Sequence, residues 1–344
     1  MSDSGEYHYR TEFPSSWSVE GVSHVVYVGD LHLDSVAPSS RIDDYPRTML
    51  EKFSDMVTQF NALYGKGFIV VLLGDVFHKN SQAVLYLSQV LKTMRECSER
   101  CLGIFSIAGN SHDLAYDRMD SIGKAPLRLM FESGYVRSIG NVFVKAPSKK
   151  VLNIIGFWYP ERCLSRKEAI ESWEARDLGR THMVGHRFFN VSDDTSLTQE
   201  FVQASGYDAI VLGHDHLQYP VEMYGSTKVV RPGSFSRGTA HQANLGRVVD
   251  VAVYGVEEES WDYVPVKCKD PKYVFSSMVK HKDEAKKLSI QVLNQRIKDL
   301  IGGLEVSKGK SRIYEIMDQL DTREPVRKII EVYLVNEGIY REAK

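Results

Sequence analysis

Three short β-branched runs, at residues 24–28, 68–73 and 103–107, are separated by segments of helical periodicity. Between the first two, Leu50, Phe53, Val57, Phe60 and Tyr64 recur at steps of three and four. Between the second and third, Val84, Leu87, Leu91 and Met94 do the same. Such spacing gathers the apolar side chains on one helical face. The order strand–helix–strand–helix–strand predicts an α/β fold, with buried strands and polar loops at their ends. A chain of 344 residues has enough interior for such a core without disulfides or a structural metal.

The second half changes character. Runs at 142–144, 151–157, 183–184, 209–212, 228–230, 248–253 and 263–266 read as strands with few helices between them. They predict a second sheet packed on the first. Further on, Ile290, Leu293, Ile297, Leu300 and Leu304 define a helix, and Pro325 opens a last one with Val326, Ile329, Ile330, Tyr333 and Leu334 on one face. The expected division is a core over 20–218, remaining core strands and a cap region over 219–268, and a helical module over 270–344. That module either packs on the body or docks a partner.

Composition narrows the function classes. Hydrophobic residues make up 43% and charged residues 26%, which excludes disorder over most of the length. No apolar run is long enough to span a membrane, and the start of the chain lacks a basic-then-apolar leader. Four scattered cysteines do not make a disulfide framework, so a reducing, cytoplasmic setting is expected. The net charge of −2 excludes a nucleic-acid binder that works by bulk charge. It leaves room for an enzyme that holds phosphates through metal ions. Residues 271–344 carry 15 basic and 11 acidic side chains, so the remainder is acidic.

Chemistry concentrates where the strands end. The first run leads into Gly29-Asp30-Leu31-His32, the second into Gly74-Asp75-Val76-Phe77-His78, and the third into Gly109-Asn110-Ser111-His112-Asp113. Later runs lead into Gly185-His186 and Gly213-His214-Asp215-His216. In α/β sheets, sites form beyond the carboxyl ends of strands. Taken singly, each piece is weak; five consecutive strand ends supplying Asp, His and Asn donors behind glycine are not. Carboxylate, imidazole and amide donors without cysteine suit a pair of divalent ions such as manganese, iron or zinc. Two such ions can clamp both oxygens of a phosphoryl displacement.

This order, Asp-x-His, Gly-Asp, Gly-Asn-(x)-His-Asp, His and Gly-His-x-His, resembles the calcineurin-like metallophosphoesterase superfamily over residues 29–216. Three segments narrow the resemblance. Gly74-Asp75-Val76-Phe77-His78-Lys79-Asn80 and Arg231-Pro232-Gly233-Ser234-Phe235-Ser236-Arg237 are similar to SbcD-like DNA repair exonucleases. Arg41-Ile42-Asp43-Asp44-Tyr45 resembles the phage members of that group. The resemblance implies a four-layer sandwich of two mixed β-sheets flanked by helices, with a small cap and a C-terminal helical tail. It implies that Asp30, His32 and His216 hold one metal, that Asn110, His186 and His214 hold the other, and that Asp75 bridges them. His112 would act on the scissile phosphate as the catalytic residue, with Asp113 beside it. His78 and Ser234 would contact substrate. The implied reaction is phosphodiester hydrolysis by a metal-bridging hydroxide, with Mn2+ as the expected ion and Mg2+, Fe2+ or Zn2+ as alternatives. DNA ends and single strands would be the substrate. An SbcC-like coiled-coil ATPase and a second copy of the chain would be the partners, in a bacterial cell or a phage-infected host.

One departure stands out, because the family has His directly after Asn, whereas here Ser111 intervenes. Asn110 is taken as the ligand because an amide oxygen coordinates better; the other register would use Ser111. His186 is taken over His182 because it follows Gly185 at a strand end. The Trp158-Tyr159 pair could stack a base or simply pack, and the basic loops 148–150 and 308–312 could track phosphates or simply be solvated. A phosphatase of small molecules or proteins, and a scaffold with weak or no activity, are the competing readings on the same fold.

Overall fold

The computed structural model describes residues 16–110, 112–114, 119–172, 179–191, 196–239 and 242–275. Ser111, the helices expected over 290–334 and the basic loop 308–312 lie outside the described residues. In chain order the strands are β1 (Ser16–Glu20), β2 (His24–Val28), β3 (Phe68–Leu72), β4 (Gly103–Ser106), β5 (Arg137–Ser138), β6 (Asn141–Lys145) and β7 (Val151–Phe157). They continue with β8 (Arg180–His186), β9 (Ala209–Gly213), β10 (Glu222–Tyr224), β11 (Thr227–Val230), β12 (Asp250–Gly255) and β13 (Ser260–Pro265).

One sheet has the order β13-β12-β2-β3-β4-β5 and the other β1-β6-β7-β8-β9-β11-β10. Both are mixed. The neighbours β2, β3, β4 and β5 run parallel while β12 and β13 are antiparallel. In the other sheet β7, β8, β9 and β11 run parallel. Strand β3 reads Phe-Ile-Val-Val-Leu and is buried at all five positions, as a parallel strand covered on both faces must be.

The seven-stranded sheet shows period-two sorting. Ile154, Val184, Val211 and Val230 join the main core against the other sheet. Their neighbours Ile155, Met183, Ile210 and Val229 form a second core on the opposite face. Successive side chains of a strand point to opposite faces, so one sheet serves two interiors.

The first helix, α1 (Tyr45–Tyr64), begins where the Asp44 side chain accepts from the Arg47 N–H and where Pro46 pre-sets the first turn. It buries Met49, Phe53, Met56, Val57 and Phe60. The second, α2 (Val84–Ser98), buries Val90 and Met94. These are the two helices predicted between the first three strands, although α2 exposes Val84 and buries Tyr86, Val90 and Cys97 beside the expected Met94. The fold is the expected α/β architecture of two mixed sheets flanked by helices. The described residues of 219–268 supply β10 to β13, which extend both sheets. Among the described residues no helix is long and apolar enough to cross a membrane. All four cysteines are free thiols.

Candidate metal centre

The ligands predicted from sequence all sit at carboxyl ends of parallel strands. Asp30 and His32 follow β2, Asp75 follows β3, Asn110 follows β4, His186 ends β8, and His214 and His216 follow β9. The loops continue the sheet for a few bonds. The His32 N–H donates to Asp75 O at 2.9 Å and the Leu33 N–H to Val76 O at 2.8 Å. Holding the side chains inward forces unusual backbone. Asp30, His32, Asp75 and His214 all have positive φ, at 26°, 47°, 46° and 85°. Each such residue costs about 1–3 kcal/mol, and such strain clusters at functional sites. Glycine is required beside them: a Cβ on Gly29 would stand 2.2 Å from the Gly233 carbonyl oxygen.

Two donor groups face each other across Asp75. On one side His32 Nε2 lies 3.0 Å from His216 Nε2 and 3.9 Å from Asp75 Oδ2. His216 Nε2 is 4.0 Å from Asp30 Oδ2. On the other side His186 Nε2 lies 3.0 Å from His214 Nδ1 and 3.2 Å from Asp75 Oδ1. The Asn110 amide nitrogen Nδ2 lies 3.3 Å from His214 Nδ1, while Oδ1, the atom that would ligate a metal, accepts from the His112 N–H. Asp75 therefore presents one oxygen to each group. His186 Nδ1 is 2.9 Å from Leu73 O. A carbonyl only accepts, so Nδ1 carries a proton, and Nε2 is the nitrogen that faces the centre. Burial opposes its charge, but the Asp75 and Asp30 carboxylates outweigh burial and raise this imidazole to about 9.

This donor set fits divalent cations. Two ligand atoms at right angles, each about 2.1 Å from one ion, stand about 3.0 Å apart, which is the spacing of both imidazole pairs. Charge makes the same case. Asp30, Asp75 and Asp113 are each no more than 1% exposed. Burial pushes the Asp30 carboxyl up to about 7 and Asp113 up to about 6, with the Asp75 charge adding to both. Burial also opposes ionisation of Asp75, but His186, His32 and His112 together hold it below the usual carboxylate range. Burial lowers His32 well below an ordinary imidazole. Buried carboxylates this close together need positive charge, and a bound cation would supply it.

His112 stands at the edge of the centre. Its Nδ1–H donates to His78 O at 2.7 Å, which turns Nε2 toward Asp75 Oδ2 at 3.9 Å. The side chain is 33% exposed. The rings of His78 and His112 stack at 5.1 Å, and His32 meets both edge-on. Asn110 braces the turn, its Oδ1 accepting from the His112 N–H at 3.2 Å.

The remaining sequence candidates fall elsewhere. Asp113 is fully buried, and its carboxylate accepts from the Gly109, Phe77 and Val76 N–H groups at 2.8, 3.1 and 3.3 Å. It ties two strand-end loops together and touches no open surface. Ser234 is 1% exposed, and its Oγ donates to Asp30 O at 3.0 Å, so it braces a ligand's backbone rather than meeting substrate. His182 lies away from the ligands, hydrogen-bonded to the Tyr27 hydroxyl at 2.8 Å and packed on Trp261. His24 stacks on Tyr64. Trp158 is buried with its indole N–H on Ile139 O, while Tyr159 is half-buried 6.4 Å from the His214 ring. The loop 148–150 precedes β7, at the opposite end from the centre, and Lys150 there pairs with Glu259 at 3.5 Å.

Sequence reasoning missed Phe188, whose ring packs 4.1 Å from His214, and it gave no role to Tyr45, whose hydroxyl donates to His32 O at 2.8 Å. Only position two residues past His186 and within the Arg41–Tyr45 segment could have flagged them.

A two-sheet α/β scaffold carrying this carboxylate and imidazole centre at its strand ends defines a metal-dependent hydrolase. Residues 23–218 match the model of the calcineurin-like phosphoesterase family, and the chain belongs to that family. Its members are phosphoesterases that use divalent metals. Among solved structures, the chain is similar to TT1561 of Thermus thermophilus, at 10% identity and TM-score 0.44, covering 72% of this chain and 100% of that one. It is similar to the calcineurin-like phosphoesterase YfkN from Bacillus subtilis, at 12% identity and TM-score 0.41, covering 73% and 93%. It is also similar to the hypothetical protein PH1004 from Pyrococcus horikoshii, at 10% identity and TM-score 0.39, covering 77% and 94%. Comparison with curated proteins gives no match.

Proposed function

We propose that the chain is a two-metal phosphodiesterase whose substrate is DNA. The observation that carries the reading is Asp75, whose two oxygens address two separate sets of nitrogen donors. Two divalent cations, Mn2+ by preference, would there neutralise the phosphoryl oxygens and activate a water. Asp30, His32 and His216 would hold one, Asn110, His186 and His214 the other, and Asp75 both. The chain's own contribution is placement. His78 O fixes the His112 tautomer, so Nε2 is the atom that exchanges a proton or hydrogen bond with a substrate oxygen. The stacked His78 ring lines the same edge.

DNA is favoured by the likeness of the 74–80 and 231–237 segments to SbcD-like nucleases. On that likeness an SbcC-like ATPase and a second copy of the chain are the partners, with residues 270–344 as the docking module. The test is hydrolysis of end-labelled duplex and single-stranded DNA with Mn2+, beside bis-p-nitrophenyl phosphate and p-nitrophenyl phosphate. Asp75→Asn serves as the control throughout. Asp75-dependent DNA cutting supports the proposal. Monoester hydrolysis without DNA cutting reassigns the chain as a phosphatase, and absence of bound metal makes it a scaffold.

A further inference from the structure

The loop 232–237 runs beside the first strand-end loop and has two differently used sides. Its N–H and hydroxyl donors face the metal ligands' backbone. The Ser234 N–H donates to His216 O at 3.1 Å, the Phe235 N–H to Gly29 O at 2.8 Å, and the Ser236 N–H to Asp30 O at 3.3 Å. Ser234 Oγ adds a bond to Asp30 O at 3.0 Å.

Its carbonyls face away, and four in succession each accept from a cationic side chain. Arg247 Nη1 donates to Ser234 O and Nη2 to Ser236 O, both at 2.6 Å. Lys52 Nζ donates to Phe235 O at 2.6 Å. Arg41 Nη1 donates to Arg237 O at 2.7 Å. Lys52 and Arg41 are only 8% and 9% exposed. These three come from α1, from the loop before it and from the segment leading to β12, distant in sequence and converging on one hexapeptide. Arg41 also holds Asp43 through two bonds at 2.7 and 2.8 Å, and Lys52 also bonds the Cys268 thiol. Charge-assisted bonds are the stronger kind, and a buried ammonium is costly unless bonds of that kind compensate it, so these carbonyls are held firmly.

We infer that Lys52 and Arg247, assisted by Arg41, are positioning residues for the Asp30–His216 half of the metal centre, acting through the loop 232–237. The inference rests on the two-metal reading proposed above. Outer partners of metal ligands set their orientation, and losing one typically weakens metal affinity about 10- to 100-fold. Among the described residues, Asn110, His186 and His214 receive none of this loop's N–H or hydroxyl donors, so the half they build should not respond.

The test is Mn2+ titration of the full chain by calorimetry and by the electron paramagnetic resonance signal of free Mn2+. Lys52→Met and Arg247→Met are placed in two backgrounds. In His214→Ala, where the Asp30–His216 half remains, each should weaken Mn2+ binding about 10- to 100-fold. In His216→Ala, where the other half remains, affinity should stay unchanged. Arg247→Lys keeps the cation but loses the two-pronged grip, so it should fall between; it also reads the effect should a methionine variant fail to fold. Unchanged affinity in both backgrounds, or equal loss in both, overturns the inference while leaving the metal centre intact. A parent chain that binds no Mn2+ overturns the two-metal reading, and the inference with it.

Discussion

Gly109→Ala isolates the packing of the centre from its chemistry. A Cβ at residue 109 would stand 2.2 Å from Asp75 Oδ1 and 2.4 Å from Asp75 N, where ordinary contact begins at 3.4 Å. The loop after β4 or the Asp75 carboxylate must therefore retreat by about 1.2 Å. Neither is free to do so. The same oxygen accepts from the Asn110 N–H at 3.2 Å and faces His186 Nε2 at 3.2 Å, and the Gly109 N–H is tied to Asp113. Gly109 is not among the glycines with positive φ, so alanine meets steric pressure alone. Overpacking of this kind costs about 1–3 kcal/mol, which leaves a chain of this size folded but less stable. A displacement near 1 Å at a reacting centre costs about 100-fold in rate. The expected result is a melting temperature a few degrees lower, a kcat on bis-p-nitrophenyl phosphate down about 100-fold and weakened Mn2+ binding. Gly238→Ala is the control, since its Cβ would enter open space. A folded Gly109→Ala protein with parent kcat and parent Mn2+ affinity would refute the reasoning.

Three further outcomes are expected. His112→Asn should cut diester hydrolysis about 100- to 10,000-fold while leaving Mn2+ stoichiometry unchanged, since His112 lies at the edge of the donor set; loss of both metals would move it among the ligands. His182 is buried neutral, with burial pushing its imidazole down to about 3 from an ordinary 6.5. The unfolded state then binds more protons below 6.5, so this contribution is full above that pH and is lost as pH falls toward 3. Urea midpoints of His182→Phe should decline less than the parent's over that window, and parallel curves would exclude the assignment. Phe53→Ala removes a fully buried ring packed against Phe235, and should cost about 3–5 kcal/mol in urea unfolding; a loss under about 1 kcal/mol would mean that the core collapses to fill the space.

How legible each part was in the sequence follows from what surrounds it. β3 was plain because burial on both faces leaves only apolar residues. β1 was not read at all: of Ser16–Glu20 only Val19 is buried, as suits an edge strand. β10, Glu222–Tyr224, is also an edge and buries none of its residues. Within β8, His182 and His186 have the same parity and face the same interior, so alternation could not separate them. Position along the strand does: four residues are about 13 Å, enough to move an imidazole from the centre to the aromatic cluster of Tyr27 and Trp261. The candidate ligands were legible because each follows a buried strand. Asp113 and Ser234 stood out as motif residues but were expected to act on substrate; their bonds to backbone atoms are not something residue identity displays. Lys52 did leave a trace: it sits on the apolar stripe of α1 between Met49 and Met56, where a lysine without a polar target would be buried at a loss.

The four candidate ligands with positive φ place their strain on short loops, and most bonds that offset it come from outside that set, the exceptions being the His214 N–H on the Asp30 carboxylate and the His32 N–H on Asp75 O. Asp113 holds Gly109, Val76 and Phe77; Tyr45 holds His32 O; Ser234 and Ser236 hold Asp30 O. Every one of these contacts is made to main chain, so the backbone of the centre is set by the fold rather than by whatever the side chains bind. That arrangement separates two jobs that could have competed. Most of the protein's own donors are spent one layer further out, although the Asp30 carboxylate also accepts from the His214 N–H and Asp75 Oδ1 from the Asn110 N–H. A centre built this way should tolerate exchange between ions of similar size, because the positions of its ligands do not depend on the ion to assemble them. Its weak points are then the outer contacts, where losing a single bond releases strained backbone and moves a ligand without touching it.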